Sequence, residues 1–349
     1  MRGNEAGLMF GNSEIEVVDA HTHIQRDDTH GEEARDFLLG REAAGFPAVN
    51  GTVDDLIEMR LKTGVAHANL VMFTWSGTYY RHGQYVLPDD PAEMDEAEQG
   101  LRARVVRRIV DNNHWAARVA STNDRLSYFA GVDPIVMSQD LLVTEMENQL
   151  AIGAAGFVIS PPDMRIRSDH SLLHAMYDFL QERGLPLFVE VGCGTGATQI
   201  PGIDAALRSF PRLRLVLTVP PGANDATTHY MAHLATQHDG VHLDTTSLFA
   251  HVSAGMVTPE QMVDLIRDAG ADHWVYGSGF SFCELLHRRP EDRLVSKLAQ
   301  TRRALKILAT LPLTESERER IASRNFLELI DAASPMGEAR SASALSEVR

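Results

Sequence analysis

The chain has 349 residues, 44% of them hydrophobic and 23% charged, the balance of a water-soluble globular protein. Acidic residues outnumber basic ones by 48 to 32, a formal charge of -16, which argues against nucleic acid and against an anionic membrane surface as partners. Two cysteines, Cys193 and Cys283, are too few for a disulfide framework or a structural zinc knuckle, and no long apolar run or signal-peptide core is present, so a soluble, cytoplasmic protein is expected.

Short β-branched apolar runs alternate with longer amphipathic segments through nearly the whole chain. Strands are expected at residues 15–18, 69–74, 128–132, 156–159, 187–191, 213–219, 241–244 and 274–276. Helices are expected at 92–120, 139–152, 170–183, 203–209, 226–238 and 259–268. Eight strands separated by helices suit a closed (β/α)8 barrel. A doubly wound open sheet is the rival, but no G-x-G-x-x-G follows the first strand, and GCGTG after the fifth has the wrong spacing. Residues 1–333 are read as one barrel domain, and 334–349, small and polar, as a disordered tail.

The first strand runs into VVDAHTHI, and this is the most informative segment. Alternate residues of a strand share a face, so His21 and His23 aim together into the barrel mouth and suit one divalent metal. Asp19 is the expected orienting partner. Two stretches then interrupt the alternation. Residues 25–66 hold at least two short helices, and 75–92 read as a long loop whose Trp75, Tyr79, Tyr80 and Tyr85 form an apolar wall over the mouth.

Further along, His114 in DNNHWAARVA is the first additional ligand candidate, and Asp133 in GVDP suits either a ligand or a turn. Glu190 stands in the apolar strand FVEVG, where a carboxylate is costly unless paired or metal-bound. Asp244, ending the seventh strand, is a ligand or an orienting residue. His82 is a weaker candidate, as are His229 and His233, which are four apart on an amphipathic helix. No G-x-S-x-G elbow, Walker loop or H-E-x-x-H occurs, and neither cysteine has an evident base beside it.

These pieces resemble the amidohydrolase superfamily, particularly its aminocarboxymuconate-semialdehyde-type decarboxylases. VVDAHTHI, GAAGFVIS, GLPLFVEVGCG, FPRLRLVLT, VHLDTTS, VYGSGFSF and RIASRNFLELI carry the resemblance in order. It implies a TIM barrel with metal at the C-terminal ends of its strands. The sequence departs from the family pattern at three ligand positions. Glu190 replaces a histidine on the fifth strand, Val219 or Pro220 stands for one on the sixth, and Gly279 for the metal-binding, catalytic aspartate on the eighth.

That combination looks like the TIM-barrel nonheme diiron monooxygenases of platensimycin and platencin diterpenoid biosynthesis. The resemblance implies two irons held by His21, His23, Glu190 and Asp244, with His114 the first to join them. It also implies hydroxylation of an unactivated C–H bond on a bulky acyl or acyl-CoA substrate by dioxygen, with an external reductant. Glu190 and Asp244 would be the catalytic carboxylates; Trp75, Tyr79 and Tyr80 would hold substrate; a homo-oligomer is compatible. The alternative is a divergent metal-dependent hydrolase or decarboxylase using zinc or manganese.

Overall fold

The structure is a computed structural model that describes residues 8–10, 13–39, 50–192, 196–219, 225–286 and 297–331. Cys193 to Thr195 of GCGTG, Pro220 and the expected tail lie outside the described residues. A short antiparallel hairpin, β1 (Leu8–Phe10) with β2 (Ser13–Ile15), comes first. Eight parallel strands follow: β3 (Val18–Thr22), β4 (His67–Val71), β5 (Leu126–Gly131), β6 (Gly156–Ile159), β7 (Pro186–Val189), β8 (Arg214–Thr218), β9 (Val241–Asp244) and β10 (Trp274–Val275). Each pairs with its sequence neighbour in one sheet. Ala20 N–H donates to the Tyr276 carbonyl at 2.9 Å, and Thr22 bridges Phe280, so the last strand meets the first and the sheet closes. The expected (β/α)8 barrel is what forms.

The strand boundaries show why. β6, β7 and β8 read GFVI, PLFV and RLVLT, continuous apolar runs as expected of parallel strands covered on both faces. The first expected strand is split, because Ile15 belongs to the hairpin, exposed Glu16 breaks the run, and the barrel strand starts at Val18.

Val18, Val71, Phe129, Val158, Phe188, Val216 and Val275 fill the barrel. Phe326 and Leu329, from the helix Asn325–Asp331, join that interior and plug it. The plug is held by backbone bonds as well. Asn325 donates to the carbonyls of Trp274 and Ala271, and Tyr276 N–H donates to Ile321.

Over the mouth, residues 25–66 include α1 (Asp28–Leu39) and α2 (Val53–Thr63) as expected. The stretch 75–92 is a correction: it holds the helix α3 (Ser76–Gln84), followed by α4 (Pro91–Ser121). Its N-terminus has no local cap. Asp163, far along the chain, accepts from Gly77 N, Thr78 N and the Thr78 hydroxyl at 2.8, 3.1 and 2.6 Å. A helix completed by a distant carboxylate leaves no local start signal. Among the described residues no helix is long and apolar enough to cross a membrane.

Phe326 is 1% exposed at the centre of the plug, and truncating a buried phenylalanine costs ~3–5 kcal/mol. Phe326→Ala is therefore expected to lower the urea midpoint with an unchanged slope, checked by equilibrium unfolding followed by circular dichroism.

Candidate metal centre

Strict alternation along β3 would turn His21 away from the interior that holds Val18 and Ala20. A bulge prevents this. Asp19 pairs with Ala68 and Thr22 with Leu70, so Ala20 and His21 together oppose Asn69. The extra residue flips the alternation and brings His21 against interior Phe188, with ring centroids 4.9 Å apart. Asn69 secures the bulge: its side chain donates to the Ala20 carbonyl at 3.2 Å, and its own carbonyl accepts from the Thr22 hydroxyl at 2.7 Å.

At the mouth the two imidazoles converge. His21 Nε2 and His23 Nε2 are 2.8 Å apart, and Glu190 Oε1, from the end of β7, lies 3.4 Å from His21 Nε2. These three residues offer donor atoms that all lie within 4.8 Å of one another. His23 Nδ1–H faces the Val71 carbonyl at 3.3 Å, which leaves its Nε2 lone pair toward the cluster. Glu190 Oε1 is buried without a hydrogen-bond partner. An unpartnered buried carboxylate oxygen beside two imidazole nitrogens is a donor set that fits a divalent cation. It is also the only such cluster among the described residues.

Asp244 stands one step back from this cluster. Its Oδ2 accepts from His21 Nδ1–H at 2.6 Å, and its Oδ1 accepts from Thr246 N and Oγ1 at 3.0 and 2.8 Å. Both oxygens are therefore engaged away from the donor cluster. The geometry gives Asp244 the orienting position that was expected of Asp19. Asp19 instead joins backbone to backbone, accepting from His21 N at 3.2 Å and Ser278 N at 2.9 Å.

The electrostatics follow from crowding carboxylates around one imidazole. Burial lowers the pKa of His21, but Asp244 first, then Glu190 and Asp19, outweigh it and lift it to about 9. Burial and the His21 charge push His23 well below its ordinary value. Without a metal, the proton on His21 Nε2 thus points at the neutral Nε2 of His23. Burial also raises Glu190 and brings Asp19 up to about 6. A cation held by these residues would take the place of that proton.

Phe282 stacks on His23 at 4.3 Å and 18°, and Trp75 stacks on Phe282 at 5.5 Å and 17°. Trp75 thus reaches the site through Phe282, which the sequence reading missed although FSFCE directly follows the eighth strand. Tyr79 and Tyr80 depart from the expected wall. Tyr80 is buried toward α4, donating to Glu98 with Arg102 over its ring at 4.8 Å. Arg108 covers the Tyr79 ring at 4.1 Å, and Tyr85 is 87% exposed.

His114 is a further correction. It lies exposed on α4, where buried Asn113 takes the inward position and bonds Gly131 and Glu145. His82, His229 and His233 are exposed on their helices. Asp133 is buried but accepts from the Ser76 hydroxyl at 2.5 Å and Ile135 N at 2.7 Å, the bonding of a turn. Burial pushes the Cys283 thiol well above its usual pKa, which leaves it unreactive at neutral pH.

Gly279 occupies the place of the family's aspartate, and its surroundings exclude a side chain. Its φ is +63°, and a Cβ would come within 2.5 Å of Cys283 Sγ and 2.6 Å of Thr246 Cγ2. Gly277 is equally constrained, since a Cβ there would meet Asp244 Oδ1 at 2.3 Å.

The amidohydrolase family profile matches residues 18–329. The chain belongs to the amidohydrolase family. A search of curated proteins found no match. Among solved structures, an uncharacterized TIM-barrel protein from Bordetella bronchiseptica is similar at 16% identity and TM-score 0.62, covering 91% of this chain and 99% of that one. The 5-carboxyvanillate decarboxylase of Sphingomonas paucimobilis is similar at 12% identity and TM-score 0.60, over 90% and 99% of the two chains. A dihydroxybenzoic acid decarboxylase from a Polaromonas species, solved with bound manganese and an inhibitor, shares 12% identity at TM-score 0.62, over 92% and 98%. At such identities these likenesses establish the barrel fold.

Metal content separates ligands from their supports. His21→Ala, His23→Ala and Glu190→Ala, each folded by circular dichroism, are expected to lose most bound metal by elemental analysis. Asp244→Asn is expected to retain metal with affinity lowered ~10–100-fold, the usual cost of losing an orienting partner. A second outcome concerns the missing aspartate. Gly279→Asp is expected to lower the melting temperature and to leave metal stoichiometry unimproved, because left-handed backbone and contacts below 3 Å oppose the side chain.

Proposed function

We propose that this chain is a metal-dependent enzyme of the amidohydrolase family that oxygenates a small organic substrate at the barrel mouth, with one iron held by His21, His23 and Glu190. The observation that carries the reading is the donor set itself. Two imidazoles and one carboxylate whose donor atoms lie within 4.8 Å of one another are ligand types suited to nonheme iron oxygenation. Bound there, iron would supply dioxygen activation for attack on a C–H bond. One iron is proposed rather than two, since the described residues gather a single donor cluster.

The chain's own residues do the rest. Asp244 fixes the His21 ring by holding its Nδ1 proton, so that Nε2 faces the mouth. Val71 does the same for His23 through its carbonyl. Glu190 brings a negative charge that favours a cation over the proton now shared between the imidazoles. Phe282 and Trp75 cover one face of His23 with apolar rings and exclude water there. Electrons come from an external reductant.

A second reading, a lyase or hydrolase of the family's ordinary kind, is favoured by family membership and by the decarboxylases that share the fold. Against it stands Gly279, because a group that moves a proton in the transition state typically contributes ~10²–10⁴-fold to rate. The two readings part on the source of oxygen. Turnover is expected to need iron, dioxygen and a reductant, with one atom of ¹⁸O-labelled dioxygen appearing in the product by mass spectrometry. Turnover under anaerobic conditions, or product oxygen drawn from water alone, would establish the second reading.

A further inference from the structure

A small cavity opens at the ends of β4, β5 and β6, beside the metal cluster but separate from it. Phe73, Val132 and Met164 give it apolar walls, and Thr74, Ser76 and Ser160 give it hydroxyls. Its volume is about 10 Å³, room for one water-sized group. The cavity also touches Val158, which pairs across the sheet with Phe188, and the Phe188 ring meets His21 at 4.9 Å. Adjacent strands are ~4.8 Å apart, so a molecule anchored beside Val158 lies about one strand-width from Phe188, whose ring in turn meets His21.

The polar groups of the cavity have defined hydrogen-bond preferences. The Ser76 hydroxyl spends its proton on Asp133 Oδ2 at 2.5 Å, so it can only accept from anything in the cavity. Thr74 Oγ1 already accepts from Asn112 Nδ2 at 3.0 Å. Ser160 is 6% exposed, precedes the helix Pro161–Met164 without capping it, and has no hydrogen bond from its hydroxyl among the described residues. It is an unpartnered polar group facing a cavity.

Charge narrows the occupant further. Asp133, 0% exposed, lies directly behind Ser76, and Asp163 is close enough to disfavour its charge. Arg81 is committed to the Asp163 carbonyl and carboxylate and to Thr78, and Arg26 to Asn112. A carboxylate entering here would face the buried carboxyl group of Asp133 behind Ser76. A neutral hydroxyl would donate to Ser76 and accept from Ser160.

Resting on the reading of the mouth as the substrate site, we infer that this cavity is a specificity subsite for an uncharged hydroxyl group on an otherwise apolar substrate. The substrate class is thus a neutral alcohol or phenol end rather than the free carboxylate that the names of the similar decarboxylases carry. Ser76 and Ser160 are its contact residues, and Asp133 positions Ser76.

The test uses the full chain as purified, with 4-methylphenol and 4-methylbenzoate as probes and dissociation constants from ligand-observed NMR. Wild-type protein should bind the phenol measurably. Ser160→Leu, which fills the cavity, and Ser76→Ala, which removes the acceptor, should each weaken it at least about tenfold, roughly the loss of one well-made hydrogen bond. Any affinity for the benzoate should be unchanged in both variants. Ser76→Ala serves as the independent check if Ser160→Leu fails to fold. No phenol binding, phenol binding indifferent to both substitutions, or benzoate binding that falls with them would overturn the subsite. The readout is binding, so it stands or falls separately from the requirement for iron and dioxygen.

Discussion

The hydrogen bond between His21 Nδ1 and Asp244 Oδ2 is the contact on which the site depends, because it decides which nitrogen of His21 faces the mouth. It joins the first barrel strand to the seventh across the opening, and both partners are nearly inaccessible to solvent. The bulge at Ala20 and His21 brings the ring inward, and Asn69 holds that bulge open. Thr246 holds Asp244 in turn. Four elements therefore converge on one imidazole, and its Nε2 is left as the group available to a ligand.

The same convergence explains the unusual charge balance. Asp19, Glu190 and Asp244 all raise the basicity of His21, while His23 is forced neutral beside it. A buried cluster with more carboxylates than cations is unstable unless something positive completes it. The proton on His21 does this in part, and the unpartnered Glu190 oxygen marks where it does not suffice. A divalent cation held by His21, His23 and Glu190 would supply the positive charge that this cluster lacks.

Much of this was legible in the sequence, and the failures have physical reasons. His21 and His23 were visible because a paired histidine motif ended a strand, and Glu190 because a carboxylate interrupted an apolar run. The division of labour between Asp19 and Asp244 was not, since it depends on which backbone closes the barrel and which side chain reaches a ring from another strand. His114 was avoidable. Leu101, Val105 and Ile109 mark the buried face of α4 in steps of four, which lands on Asn113 rather than its neighbour. The helix at 76–84 was hidden for a different reason, its cap being supplied from Asp163 after β6.

The loop after β10 leaves no room for the aspartate that the family resemblance implies at Gly279. Gly277 lets the backbone pass so close to Asp244 and His21 that no Cβ fits, and Gly279 turns the chain at positive φ toward Phe280 and Cys283. This turn places Phe282 flat against His23. The loop thus offers the site an aromatic wall from Phe282, while the backbone at Gly279 opposes a side chain. Fewer protein donors leave more of a metal's coordination positions to substrate or small-molecule ligands. An apolar wall beside those open positions lowers the local dielectric and keeps water from competing for them. With a metal held by His21, His23 and Glu190, these residues would leave little of the proton transfer to protein side chains.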